Sequence, residues 1–218
     1  NEIGHQIEIN KDIFNTANIV GNISVARRHQ QKNMEQWEWY NFIFMEESAE
    51  LYDYNAFRQI YMEVNGWTLS ERMYYRIGID HYSEFIKISQ YDGKNINALT
   101  IPTHGVWKLN NGSSITFYLE YQEKEVKESF HKNYYSSYLS LSYSHLGKWT
   151  MTGFYEQEIV KHFNHNWKGG EFAYRINPQS QISFFYGSQK GGLICANGIC
   201  AEQPGFDAGY KITLRTLF

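Results

Sequence analysis

The sequence predicts an all-β fold, an antiparallel barrel that crosses a membrane with its strands, and three observations predict it. The first is the final stretch, residues 205–218 (GFDAGYKITLRTLF). There Phe206, Ala208, Tyr210, Ile212, Leu214, Thr216 and Phe218 fall on one side, with Asp207, Gly209, Lys211, Thr213, Arg215 and Leu217 on the other. That is period two, the signature of a strand with one apolar face. The second is repetition: about eleven such segments follow one another, joined by connections that alternate between short and long. Membrane barrels have short turns on one side and longer loops on the other. The third is composition. Aromatics reach 17%, with 18 Tyr, and only 3 Pro interrupt the chain.

Each element follows from its own alternation. Residues 5–13 set Ile7 and Ile9 against Gln6 and Glu8, and residues 19–27 set Ile19, Ile23 and Val25 against Asn22, Ser24 and Ala26. A long polar and acidic stretch, about residues 29–55, reads as an outside loop. Residues 57–67 (Ile60, Met62 and Val64 against Gln59, Tyr61 and Glu63) and 73–82 (Met73, Tyr75, Ile77 and Ile79 against Arg76, Gly78 and Asp80) flank a short link. Residues 85–97 read as a polar connection and 99–109 as a strand. Asn110-Asn111-Gly112-Ser113 reads as a tight hairpin turn, because Asn-Gly accepts the positive φ that short hairpin loops require. Residues 115–121 alternate most cleanly, with Ile115, Phe117, Leu119 and Tyr121 on one side.

A charged loop at 123–132 leads to a strand at 134–144, the short turn 145–148, and a strand at 149–156. A polar loop at 161–166 precedes the strand at 167–176; Asn177-Pro178-Gln179 turns the chain into 181–192, and a loop at 193–204 delivers the closing strand, 205–218. With Phe218 at the periplasmic end, counting back sets every short link on that side and every long one outside. The same count makes the first segment a descending strand. The 218 residues therefore read as one barrel domain that is the carboxy-terminal part of a larger barrel. Trp67, Trp107 and Trp149 lie near short turns, where an interfacial aromatic belt belongs.

Charge and hydropathy narrow the class. A net charge of −3 lacks the basic footprint of a nucleic-acid partner. No apolar run approaches the roughly 18 residues of a membrane helix, and mean hydropathy is −0.56. Neither value argues against strands that alternate lipid-facing and polar residues.

The most specific local motif is Cys195-Ala196-Asn197-Gly198-Ile199-Cys200. With Asn197-Gly198 as a type I′ turn, Ala196 pairs with Ile199 and Cys195 faces Cys200, within reach of a disulfide. A disulfide at these positions would pin the hairpin loop 193–204. The rival is a metal or redox pair, which the spacing and the lack of a nearby His or third Cys disfavour.

The closing strand resembles the last strand of bacterial outer-membrane barrels. That resemblance implies that Tyr210, Ile212, Leu214 and Phe218 form the signal read by the barrel insertion machinery. The run from Gly187 to Cys200 (GSQKGGLICANGIC), the terminal Phe218 and the opening Gly4-His5-Gln6-Ile7-Glu8 together resemble an uncharacterised family of large outer-membrane barrels from Bacteroidota. Ala201-Glu202 departs from it, where a basic residue is expected. The resemblance brings no activity with it.

Candidate chemistry is sparse. Of eight His, only His162 and His165 are close, and no carboxylate or Cys joins them at ligand spacing, so a solvated loop is expected and no metal or other cofactor. His81-Tyr82-Ser83 near an outer strand end is the one arrangement suggesting a rim enzyme, without a third orienting group or oxyanion hole. The predicted lumen face carries Glu8, Glu63, Arg76, Asp80, Glu120, Glu156, Glu171, Arg175, Lys211 and Arg215. These charges either line a water-filled pore or cross-pair into a closed interior. Tyr61, Tyr74, Tyr118, Tyr138 and Phe185 on the same side favour partial filling. In the 29–55 loop, Trp37, Trp39, Tyr40, Phe42 and Phe44 either meet a partner or fold over the barrel mouth.

The functional expectation is a non-enzymatic outer-membrane barrel, the scaffold or accessory subunit of a cell-surface assembly. It would contact outer-membrane lipids, other outer-membrane or surface proteins and the insertion machinery, with a periplasmic carboxy terminus and extracellular long loops. The alternatives are a porin-like passive channel for small solutes and, third, a rim-located lipid-modifying enzyme.

Overall fold

A computed structural model of the chain describes residues 2–14, 16–28, 56–68, 70–87, 93–127, 131–161, 163–196, 199–203 and 205–216. The chain is all-β. In order, the strands are β1 (Glu2–Phe14), β2 (Ala17–Arg28), β3 (Ala56–Thr68), β4 (Met73–Lys87), β5 (Gly93–Lys108), β6 (Ser113–Lys127) and β7 (His131–His145). They continue with β8 (Trp149–Val160), β9 (Phe163–Asn177), β10 (Ser180–Gln189), β11 (Gly192–Ala196), β12 (Ile199–Gln203) and β13 (Phe206–Thr216). β1 to β10 and then β13 form one 11-stranded antiparallel sheet in chain order, and β11 pairs with β12 as a separate hairpin.

The sheet is not closed into a barrel. Among the described residues β1 pairs only with β2, and β13 only with β10. Strand parity also rules out an antiparallel closure. Eleven antiparallel strands leave β1 and β13 running in the same direction, so their free edges cannot meet as antiparallel neighbours.

Every predicted strand is present, but several run further than alternation suggested. Much of the connection expected at 85–97 is strand: β4 continues to Lys87 and β5 begins at Gly93. The charged segment 123–132 is likewise mostly strand, because β6 reaches Lys127 and β7 starts at His131. The loop expected at 161–166 shrinks to the step between Val160 and Phe163. Ladder hydrogen bonds do not depend on side-chain polarity, so a strand can run on after its apolar face has ended.

Within β6 the apolar residues Ile115 to Tyr121 span roughly 20 Å at the usual rise per residue. Glu123, Glu125 and Lys127 continue the same parity as charge. The turns at the other end behave as their chemistry requires. Asn111 and Gly112 both adopt positive φ, as do Leu146 and Gly147 in the next short turn.

Close contacts divide the chain into two units, Asn1–Gly66 with Arg76–Pro102 and Tyr121–Tyr135, and Trp67–Tyr75 with Thr103–Glu120 and Ser136–Phe218. In the second unit the short turns are tied together. Lys108 N–H donates to the Arg72 carbonyl, Leu146 N–H to Gly112, and Arg175 N–H to Lys148, at 2.7 to 2.9 Å.

Candidate functional site

Register separates two chemically different faces. In the first unit Ile7, Ile23 and Ile60 stand in one cross-strand row, and Ile9, Gly21 and Met62 in the next. The opposite face carries the rows Gln6–Ser24–Gln59, Glu8–Asn22–Tyr61 and Asn10–Val20–Glu63. In the second unit Met151, Phe172, Phe184 and Ile212 form one row, and Trp149, Tyr174, Ile182 and Leu214 another. Behind them lie Thr152–Glu171–Phe185–Lys211 and Thr150–Ala173–Ser183–Thr213.

The apolar rows are uncovered. Ile7, Ile60, Phe184, Ile212 and Leu214 are between 46% and 66% exposed, whereas the buried apolar residues among those described are only Ile96, Ala98, Val126 and Phe185. A water-soluble domain inverts that proportion by burying its large aliphatic side chains.

On the polar face of the first unit Glu63 pairs with Arg76, and Asp80 is held by an amide. Glu63, nearly buried, accepts from the Tyr61 hydroxyl and from Asn65 Nδ2 at 2.8 Å, with Arg76 Nε at 3.7 Å. Gln59 Nε2 donates to both oxygens of Asp80, at 2.9 and 3.0 Å.

The polar face of the second unit is built around aromatic rings. Tyr118, Tyr138, Phe154, Phe185 and Phe206 follow one another at centroid spacings of 5.8 to 6.1 Å. Gly169 makes room for them, since a Cβ there would lie 2.7 Å from Phe185 and 3.0 Å from Phe154. Tyr118 donates to Glu120. Lys211 Nζ donates to Gln189 at 3.0 Å and lies over the Phe185 ring.

Two expectations about facing are corrected here. Phe206 joins this ladder rather than the side of Tyr210, because the β10–β13 register shifts between Gly187 and Gln189. The shift inserts a bulge, which reverses the parity beyond it. On the other side of β10, the Ser188 hydroxyl accepts from Lys168 N–H of β9 at 2.8 Å. Trp67 also lies on the polar face, packed on Tyr74 with Lys108 Nζ 3.9 Å over its ring, and so is not part of an apolar-face belt. Trp149 does lie on the apolar face at the short-turn end, against Tyr143, His145 and Phe172.

Toward the short turns the polar face opens into a cavity of about 250 Å³ lined in part by Lys148, Thr150, Thr152, Glu171, Arg175 and Gln181. Arg175 and Arg215 both pair in register with Gln181. Glu171, Arg175 and Arg215 thus share this face, whereas Glu63, Arg76 and Asp80 cluster in the first unit.

Two groups escaped sequence reasoning. Lys190 Nζ contacts Glu158 at 2.8 Å and Glu156 at 3.3 Å, beside the Trp167 ring. Burial alone would lower the pKa of this ammonium, but the two glutamates outweigh it and raise the value above that of an ordinary lysine. Ser113 Oγ lies 2.7 Å from His145 Nδ1 and accepts from the Tyr143 hydroxyl at 3.0 Å. Ser113 is buried and doubly engaged, so the contact pins two neighbouring turns together. His81 and Ser83 stand two residues apart on β4, with side chains on the same side of the strand. The parity of a strand could have signalled Trp67; nothing in the sequence spacing signals Lys190 or Ser113.

In the β11–β12 hairpin Cys195 stands directly opposite Cys200, as the turn chemistry predicted. The turn residues Asn197 and Gly198 lie outside the described residues, as do Trp37, Trp39, Tyr40, Phe42 and Phe44, His162, and Phe218. His165 stacks on Trp167 at 6.0 Å.

The whole chain, residues 1–218, matches a family described as "Family of unknown function (DUF6029)". The protein belongs to that family. No curated protein matches it in sequence.

Proposed function

We propose that this chain is membrane-spanning wall of a non-enzymatic bacterial outer-membrane β-barrel, acting as scaffold or accessory subunit of a cell-surface assembly. The observation that carries the reading is the uncovered apolar face. Its rows hold Ile, Leu, Met and Phe, with Trp149, Tyr143 and His145 grouped at the short-turn edge. Apolar side chains in the middle and amphipathic rings at the edge are what a bilayer and its interface select. On this reading the short turns and the carboxy terminus are periplasmic, the long connections extracellular, and the edges of β1 and β13 are where the wall continues.

The scaffold reading is favoured over an open channel by the stacked rings on the polar face. Tyr138–Phe154 and Phe154–Phe185 are both only 18° from parallel, so their faces are used on each other and the side chains act as filling. A porin-like passive channel is the second reading, supported by Glu171, Arg175 and Arg215, exposed charges of both signs on one face. The Cys195–Cys200 disulfide and recognition of the closing strand by the insertion machinery belong to the same proposal.

The test is to extract the native protein from membranes with mild detergent, size it and identify what travels with it. A large complex supports the scaffold; a lone, heat-modifiable species that conducts in planar bilayers supports the channel. A protein absent from the membrane fraction refutes both.

A further inference from the structure

We infer that the cavity at the short-turn end of the polar face in the second unit is a binding site for a small zwitterion, an α-amino acid. Glu171 holds its ammonium group and Arg175 its carboxylate. The inference goes beyond the scaffold reading and needs only that water reach this face.

Strand parity sets the geometry. Glu171, Ala173 and Arg175 follow one another on the polar side of β9, and all three line the cavity of about 250 Å³. Both charged residues are exposed, and the short alanine between them leaves the space over the strand open. Four residues of strand separate the Cα atoms of Glu171 and Arg175 by roughly 13 Å. Side chains stand roughly perpendicular to a sheet, so the two heads meet each other only if both lie flat along the strand. An α-amino acid carries its two charges about 3 Å apart, and a charge-assisted bond of about 2.8 Å at each end makes a span of roughly 9 Å. Two long side chains rooted roughly 13 Å apart reach that span by leaning inward about 2 Å each.

The rest of the lining suits a polar guest. Thr150 and Thr152 on β8 line the cavity beside Ala173 and Glu171. Their hydroxyls pair with Ser144 at 2.9 Å and Ser142 at 2.8 Å. Each pair uses one of its two O–H groups internally and leaves the other to donate. Gln181 adds an amide that both donates and accepts. Charge balance selects the class of ligand. Glu171 is the one carboxylate among the described lining residues. Lys148 also belongs to the lining, but its Nζ lies over the Tyr174 ring on the apolar face. Arg175 is therefore the cation that answers Glu171. An anion alone is drawn to one end of such a cavity and repelled by the other, and so is a cation alone. A dipolar ion satisfies both ends.

The experiment uses the full chain in detergent micelles at low ionic strength, with radiolabelled glycine and glutamine as probes in equilibrium dialysis. The expected result is saturable binding of one amino acid per chain, weakened about tenfold or more by Glu171→Gln and by Arg175→Gln. Acetate and methylammonium each carry only one of the two charges, and should compete about tenfold less well than unlabelled glycine. In Glu171→Gln acetate should compete as well as glycine, because only the arginine end remains. Lys94→Gln, on β5 in the first unit, should leave binding unchanged. Folded mobility on unheated gels checks that each variant retains its structure. Absence of saturable binding of either amino acid overturns the inference. So does binding that survives both single variants, or that acetate or methylammonium displaces from the wild type as well as glycine does.

Discussion

Replacing Phe184 by Arg tests the membrane reading directly, because bilayer and water give the substitution different outcomes. Phe184 is 46% exposed and stands between Phe172 and Ile212 in a row on the apolar face. It lies one row further from the short turns than Trp149, Tyr174, Ile182 and Leu214, so it falls inside the apolar band. An arginine facing lipid costs about 2–4 kcal/mol at the midplane of a strand barrel and about 0–1 kcal/mol near the interface, so one row in from the edge the loss is about 1–2 kcal/mol. That corresponds to a folding equilibrium constant lowered by roughly fivefold to thirtyfold. If the same face met water, an exposed substitution would change stability by no more than about 0.5 kcal/mol. Thr213→Arg is the matched control, on the adjacent strand but on the polar face. The assay is urea titration of protein folded into phospholipid vesicles, read by loss of the fast-migrating species on unheated gels. The expected result is a large drop in midpoint for Phe184→Arg and little change for Thr213→Arg. A Phe184→Arg variant as stable as wild type would refute the lipid-facing assignment, and equal damage from both variants would refute the division into faces.

Three further outcomes are expected. Gly169→Val should destabilise by about 1–3 kcal/mol through overpacking, because its Cβ would press on Phe185 and Phe154; denaturant midpoints measure this, and Gly153→Val, with nothing within 4 Å, should be nearly neutral. Cys195 and Cys200 should resist alkylation until a reductant is added, as intact mass before and after reduction will report. Glu158→Gln should remove part of the Lys190 pairing, worth about half a kcal/mol after allowing for a lysine side chain that is 37% exposed. The sign follows from the raised lysine pKa: the stabilisation is fully present below the ordinary value of 10.5 and is lost as pH rises through the higher folded value. The difference from wild type should therefore shrink only in strongly alkaline buffer.

The strands were legible because each carries its apolar residues at one parity, which is also why the two faces could be assigned before any register was known. Errors arose where a local feature was trusted over that parity. Trp67 has the odd parity of Gln59, Tyr61 and Glu63, yet nearness to a turn suggested the opposite face. Phe206 could not have been assigned correctly, because the register shift beside Gly187 is set by how β10 meets β13 and leaves no mark on alternation. Strands also outrun their alternating apolar residues. Glu123, Glu125, Asn95 and Asn97 look like loop chemistry, but a ladder carries them, with Asn97 Nδ2 reaching Glu125 at 3.5 Å. Pairings among charges demanded register. Glu63 and Arg76 lie on different strands, Glu158 is on β8 and Lys190 just past the end of β10, and no spacing rule connects either pair. Cys195 and Cys200 are the exception, since Asn197-Gly198 sets the register of its own hairpin.

The layout of the second unit gives a physical reason why its polar face is not uniform. From the short turns outward come the Arg175–Gln181–Arg215 row, then the Glu171–Phe185–Lys211 level carrying the ring ladder, then Lys190 with Glu156 and Glu158. The ladder uses ring faces on each other, and Gly169 gives up a side chain to let them meet. Stacked in this way the rings contribute packing, about 0.5–1.5 kcal/mol per pair beyond burial, and offer little face to a passing solute. They separate an ion-paired level on one side from an exposed cationic level on the other. Ion pairing makes the outer level self-sufficient. At the turn side Arg175, Gln181 and Arg215 are exposed, so water screens their charge. Rings packed on one another in this way fit a filled wall better than an open passage along the whole face.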